Sequence, residues 1–242
     1  MTDLLYMDEC YLKECEAIVE EVVDDKIVLN KTVFYPQGGG VPSDTGKIIC
    51  EGQEYKVSKV KKEDGKIVHY IDKTVLQKGN QVNCTIDWER RYKLMQYHTA
   101  AHVFAGTLST DTGALITGNQ IELEKTRFDF NLETFDKEIL EKQVEKANTF
   151  FGNDHPISIS YMLREEALKL PGMVKLAGAF PPSIQTLRIV SIGKNGEIDT
   201  QADGGCHVAN LKEIPKIEII KMENKGKNNR RVYFKFVEKS QS

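Results

Sequence analysis

Residues 95–106, MQYHTAAHVFAG, form a largely apolar run into which His98 and His102 are set four residues apart. In a helix, positions i and i+4 lie one turn apart on the same face, so both imidazoles fall where leucine or methionine ordinarily sits. Asp87 is placed to cap a helix beginning at Trp88, its carboxylate accepting otherwise unpaired amide protons. Trp88, Met95, His98, His102 and Ala105 recur at helical spacing, with Arg90, Arg91 and Lys93 off that stripe. A buried ring nitrogen left without a partner costs about 1–3 kcal/mol, so the rest of the chain must supply partners for two imidazoles. Backbone carbonyls are the ordinary solution. One metal ion taking the free lone pair of each is the other.

What surrounds the helix sets the fold class. Before it, CEAIVEEVV, KIVLNKTVFY, GKIICEG, EYKVSKVKK, KIVHYI and QVNCTI are short runs rich in β-branched residues, separated by turn signals such as Asp24-Asp25 and Glu63-Asp64-Gly65. They predict a small antiparallel β-barrel or sandwich over residues 1–86. After it, a second helix is expected from about Thr134 to Phe151, with Leu140, Val144, Ala147 and Phe151 on one face and Gly152 as its stop. HPISISY and TLRIVSI read as strands, and the stretch from Lys216 to Phe236 as a hairpin around a polar turn. Residues 87–242 are thus expected to be an α+β domain, helices on a largely antiparallel sheet.

A second cluster lies about a hundred residues on. QADGGCHVAN, residues 201–210, carries Asp203, Cys206 and His207 around Gly204-Gly205. The diglycine lets the backbone bend so that Asp203 and His207 face one point. Two groups of metal-ligand residue types, far apart in sequence, match the way a tetrahedral site staples a fold, and they favour the metal over the carbonyls. The five cysteines, at 10, 15, 50, 84 and 206, include no CxxC pair, so neither a disulfide framework nor a zinc ribbon is suggested.

HTAAH followed by DGGCHV is similar to the paired zinc motifs of alanyl-tRNA editing domains, which occur within alanyl-tRNA synthetases and as free-standing AlaX-type proteins. FYPQGGGVPSDTG, residues 34–46, resembles the glycine-rich motif of the medium-length AlaX proteins, and TRFDF, residues 126–130, is similar to another family segment. The resemblance spans nearly the whole chain in the family's order, small β-barrel then editing domain. It implies Zn2+ as cofactor, His98, His102 and His207 as ligands at the catalytic centre, and ATP-independent hydrolysis of the ester in mischarged tRNA-Ala, Ser-tRNA-Ala chiefly and Gly-tRNA-Ala beside it. Asp203 stands where the family has a ligand cysteine, and Cys206 where threonine is common. Asp203 is the favoured fourth ligand, Cys206 the alternative, and a three-ligand site with Asp203 hydrogen-bonded beside it the third arrangement. Gly38, Gly39 and Gly40 are expected to contact substrate. Thr99, Thr110 and Thr112 are candidates for reading the serine hydroxyl, each equally suited to a capping or structural role.

The net charge of −3 and pI of about 6.0 exclude a strong overall basic field, so RNA contact has to come from local cations. Arg90 and Arg91, and Arg230 and Arg231 with Lys225 and Lys227, are the candidate tRNA-backbone contacts, with solvated charge as their ordinary reading. The acidic N-terminus lacks the apolar core of a signal peptide, and no run approaches the ~18 apolar residues of a membrane span. A soluble cytoplasmic protein is expected, with neither membrane nor DNA as partner. Absence of a Ser-His-Asp signature and of the HExxH glutamate argues against a serine hydrolase or metalloprotease. Two other readings remain: an RNA-binding module with a purely structural zinc, and a metal hydrolase of small amino-acid esters.

Overall fold

Alternation of inward and outward residues builds the first part of the chain. A computed structural model describes residues 2–72, 75–132, 136–170, 173, 184–226 and 229–238. It divides into two units, Met1–Met95 and Gln96–Ser242. In the first, β1 (Asp3–Leu4) pairs in parallel with β4 (Lys31–Thr32), and β2 (Glu14–Val23), β3 (Lys26–Leu29), β5 (Gly46–Cys50), β6 (Gln53–Glu63), β7 (Lys66–Ile71) and β8 (Gln81–Ile86) close a barrel in the order β2-β3-β7-β6-β5-β8. Val19, Ile27, Leu29, Ile48, Val57, Val60, Val82 and Cys84 belong to its core. The expected barrel is therefore present. Bulges at Val19/Glu21 in β2 and at Val57/Lys59 in β6 add a residue each, which is why Tyr55 and Val57 point inward but the next inward residue is Val60. The run 26–35 is broken at Asn30, whose side-chain oxygen accepts the Ile18 amide proton at 2.7 Å.

The glycine-rich stretch forms a two-residue hairpin turn. Gly38 and Val41 exchange backbone hydrogen bonds of 3.1 and 2.8 Å, and Gly39 and Gly40 between them have φ of 58° and 82°. Two successive left-handed residues are what glycine adopts at least cost. Asp44 in the same stretch accepts the Tyr35 amide proton at 2.7 Å and receives the Arg91 guanidinium from the start of α1 (Trp88–Thr112). Arg91 is buried, with further bonds to the carbonyls of Cys10 and Val33.

The second unit places the remaining length of α1 among strands. β9 (Ile116–Ile121), β10 (Thr126–Phe130), β14 (Ile217–Asn224) and β15 (Arg230–Phe236) form an antiparallel sheet ordered β14-β15-β10-β9. Tyr97, Phe104, Phe128, Phe130 and Phe234 make its aromatic core, and Tyr97 stacks on Phe236 with ring centroids 4.0 Å apart. β11 (Ile157–Leu163), followed by the short α3 (Arg164–Ala167), pairs with β12 (Thr186–Ile192), which pairs with β13 (Asp199–Ala202). Every residue of α1 from Tyr97 to Phe104 and on to Leu108 is buried. A single apolar stripe was expected; the helix instead meets several elements, Phe104 packing on Phe128, Phe130 and Phe234, His102 meeting Asp199 and Gln201 of β13, and the Thr107 hydroxyl reaching the Gln143 carbonyl. α2 (Lys137–Asn148) is capped by Asp136, packs Leu140, Val144 and Ala147 inward, and is tied to β14 by Asn148 through two 2.8 Å bonds to Ile217. The expected start at Thr134 lies outside the described residues. The α+β class holds, and no described helix is long and apolar enough to cross a membrane.

His69, the barrel's buried histidine, bonds through Nε2 to Thr32 Oγ1 at 2.8 Å and through Nδ1 to the Ile27 carbonyl at 3.3 Å. Burial pushes its pKa down to about 4. The unfolded chain, with the ordinary value near 6.5, then takes up the proton first, so this contribution is full above pH 6.5 and is lost as the pH falls towards 4. The stability advantage of the wild type over His69→Gln should shrink by up to about 3 kcal/mol between pH 7 and pH 4. Urea unfolding across that range measures it; a constant difference would show that His69 does not titrate with folding.

Candidate metal centre

α1 offers His98 and His102 from successive turns, and the segment after β13 brings Asp203 and His207 to meet them. One donor atom from each of these four lies within 4.8 Å of the others. Each imidazole presents Nε2 to the same carboxylate: His98 at 3.7 Å and His102 at 3.9 Å from Asp203 Oδ1, His207 at 3.2 Å from Oδ2. The rings stand close, centroids 4.3 Å apart for His98 and His207 and 4.6 Å for His102 and His207.

The other nitrogen of each ring is directed at a protein oxygen. His98 Nδ1 lies 3.4 Å from the Cys206 carbonyl, His102 Nδ1 3.2 Å from Asp199 Oδ2, and His207 Nδ1 3.1 Å from Thr99 Oγ1. With the Nδ1 protons given to these acceptors, all three Nε2 lone pairs face inward. Burial pushes His98 down to about 4 and, with His98 itself beside it, holds His207 well below the ordinary value. Burial also works against charge on Asp203, yet the facing imidazoles, His98 foremost, hold its carboxyl well below the usual range. Neutral imidazoles and an ionised carboxylate thus turn lone pairs toward one another, an arrangement a cation relieves. Three imidazole nitrogens and a carboxylate oxygen are a donor set suited to zinc.

Local chemistry explains the convergence. In β13 successive side chains alternate, so Asp199, Gln201 and then Asp203 lie on one side. Gly205 passes against His98: a Cβ there would stand 2.7 Å from His98 Nδ1 and 2.9 Å from Asp203 Oδ2. Gly204 faces open space. The diglycine thus serves close approach at one position only. Cys206 is buried and contributes its carbonyl; its thiol is not among the grouped donors.

The remaining candidates divide. Thr99 is buried, its hydroxyl engaged with His207 and the Val208 amide at 3.3 Å. Thr112 is ten residues beyond His102, about 15 Å along the helix, and bonds the Leu108 carbonyl at 2.7 Å and the Ala114 amide at 3.2 Å, a cap at the end of α1. Thr110 is exposed near the same end. Gly38, Gly39 and Gly40 form the turn of the first unit. Of the cations read as surface charge, Arg91 and Arg230 are buried: Asp44 claims the first, and Asn224 with the Gly226 and Asn229 carbonyls holds the second. Arg231 pairs with Asp129 at 2.6 and 2.9 Å, and Arg90 bonds the Ser43 carbonyl at 3.2 Å, both partly exposed. Lys227 lies outside the described residues. Asp199, Gln201 and Arg188, whose Nη1 bonds the Asp203 carbonyl at 2.8 Å, were not read from the sequence. The alternation in DTQAD was the available signal for the first two.

The pattern of the family described as "tRNA synthetases class II (A)" matches residues 7–90, and that of "Threonyl and Alanyl tRNA synthetase second additional domain" matches residues 187–233, which include Asp203 and His207. The chain is 45% identical over 246 residues to the alanyl-tRNA editing protein AlaX-M of Methanosarcina barkeri, covering 98% of this chain and 100% of that protein. It is 45% identical over 237 residues to the protein of the same name from Saccharolobus solfataricus, covering 97% and 98%. Against the alanine–tRNA ligase of Pyrococcus furiosus it is 34% identical over 239 residues, 96% of this chain but 26% of the ligase.

The geometry separates the two glycines experimentally. Gly205→Ala should displace His98 and lower the metal content of the purified protein, whereas Gly204→Ala should leave it unchanged. Equal metal content in both variants would show that His98 is not held by the close approach at Gly205.

Proposed function

The chain belongs to the alanyl-tRNA editing proteins of the AlaX-M type, and on that premise we propose that it hydrolyses the aminoacyl ester of mischarged tRNA-Ala, Ser-tRNA-Ala and Gly-tRNA-Ala, at a zinc centre made by His98, His102, His207 and Asp203. The observation that carries this reading is the meeting of three Nε2 atoms on one carboxylate, each ring's Nδ1 directed at a protein oxygen. Bound there, zinc supplies a Lewis acid that polarises an ester carbonyl or lowers the pKa of a bound water to about 7.

The chain's own residues set the conditions. The neutral rings of His98 and His207 act as donors rather than as proton carriers at neutral pH. The Asp203 side chain is 21% exposed, against 1–9% for the histidines, so the centre reaches solvent on its carboxylate side. That exposure favours a reacting centre over a closed structural zinc. Thr99 acts in this reading by holding His207, and Thr112 by capping, so neither hydroxyl is assigned to the serine side chain. Contact of Gly38–Gly40 with the acceptor end, and of Arg90 and Arg231 with tRNA phosphates, complete the proposal. Arg91 and Arg230 are left out because burial withdraws them from phosphate.

Purified protein should contain about one zinc per chain; Asp203→Ala should lose it and Cys206→Ala should keep it. The wild type should deacylate Ser-tRNA-Ala and spare Ala-tRNA-Ala, and His98→Ala should lose the activity. Free seryl esters assayed in parallel should react far more slowly; equal rates would assign the protein to small-ester hydrolysis, and zinc without any deacylation to RNA binding alone.

Recognition is tested separately. Each phosphate contact removed should lower the log–log salt slope of tRNA binding by roughly 0.7–0.9. Arg90→Glu should therefore weaken binding and flatten its salt dependence with zinc retained. An unchanged slope would return Arg90 to a structural role at the Ser43 carbonyl.

A further inference from the structure

We propose that Asp199 is a positioning residue of the metal centre: its carboxylate accepts the Nδ1 proton of His102 and so keeps the His102 Nε2 lone pair turned toward the site. The inference rests on the zinc reading above and adds a residue that lies outside the four grouped donors.

Asp199 opens β13, four residues before Asp203, and its side chain is fully buried. Its Oδ2 lies 3.2 Å from His102 Nδ1 and 2.8 Å from Gln201 Nε2. A carboxylate withdrawn from water is costly unless it collects hydrogen bonds, and two N–H donors converge on this oxygen. The helix makes room for it. A Cβ at Gly106, one turn beyond His102, would stand 3.0 Å from Asp199 Oδ1, so a larger residue there would press on the carboxylate. Thr99 and the Cys206 carbonyl perform the same task for His207 and His98 through neutral oxygens. The carboxylate draws the Nδ1 proton more strongly than either, which makes His102 the most electron-rich of the three donors.

The local geometry contains one competing arrangement. Gln201 Nε2 is also 2.8 Å from His102 Nδ1. If Nδ1 carried no proton, it would accept from Gln201 and Nε2 would carry the proton instead. That tautomer cannot ligate through Nε2. Delivering both protons to Asp199 satisfies the carboxylate and leaves Nε2 free, and this is the arrangement assigned here.

Nitrogen NMR of zinc-loaded wild-type protein reads the tautomer directly, without any substitution. The expected result is a protonated Nδ1 on His102 with its proton shifted strongly downfield; a protonated Nε2 would overturn the proposal. Zinc affinity, measured by competition with a chromophoric chelator, should weaken about 10–100-fold in Asp199→Ala and less in the isosteric Asp199→Asn, which retains an acceptor. The visible spectrum of the Co2+-substituted protein should shift in both. A merely structural Asp199 would lower thermal stability while leaving the chelator competition and the Co2+ spectrum as in the wild type, and that result would also overturn the proposal. Wild-type protein that binds no zinc would instead sink the metal reading itself, so the two failures are distinguishable.

Discussion

Burying imidazole is the constraint on which the second unit turns. α1 is enclosed from Tyr97 to Leu108, so neither His98 nor His102 can satisfy its two nitrogens with water. Each ring must find a partner at both ends. The outward ends are met by oxygens of the polypeptide, and the inward ends meet one another and Asp203. Several otherwise unrelated features follow from this. The close passage of Gly205, the opening at Gly106 and the alternation that places Asp199 and Asp203 on one side of β13 all serve to bring oxygens to those rings.

The first unit solves a comparable problem with a different pair. Arg91 and Asp44 are both almost wholly buried and carry opposite charge, and two further guanidinium protons go to the Cys10 and Val33 carbonyls. Such a pair adds little net stability over apolar residues of similar volume, but breaking it by removing one partner costs about 3–5 kcal/mol. It ties the end of the glycine-rich stretch to the first turn of the helix within that unit. Cations that look available in sequence are thereby committed to the interior. With a net charge of −3 and arginines engaged in this way, few cations are left for the phosphate contacts that the proposed function requires.

The proposed reaction would demand discrimination between serine and alanine, which differ by one hydroxyl. A site whose polar groups pair only when that hydroxyl is present can reject the shorter side chain by as much as about 10⁴–10⁵-fold. Thr99 and Thr112 carry the right chemistry, but the fold engages both elsewhere, one behind His207 and the other at the helix end. Residue type alone left both roles open; the hydrogen bonds of each hydroxyl are what favour a structural one in the proposed reading.

Much was legible before any fold was known. Runs of β-branched residues between turn signals marked the six barrel strands, Asp87 marked the start of α1, and the i, i+4 spacing of His98 and His102 with DGGCH downstream marked the candidate ligands, because these features depend on local composition, spacing and side-chain chemistry. The tertiary structure decided the rest. It grouped the Asp203 carboxylate, and not the Cys206 thiol, with the three imidazoles, which is the observation that favours Asp203 in the proposed centre. It found Asp199 behind His102, through a strand too short to announce itself and a contact between positions 97 residues apart. It also turned Arg91 and Arg230 from apparent surface charge into buried structure, because whether a charge faces water depends on which carboxylate or carbonyl the fold sets beside it, and no local pattern encodes that.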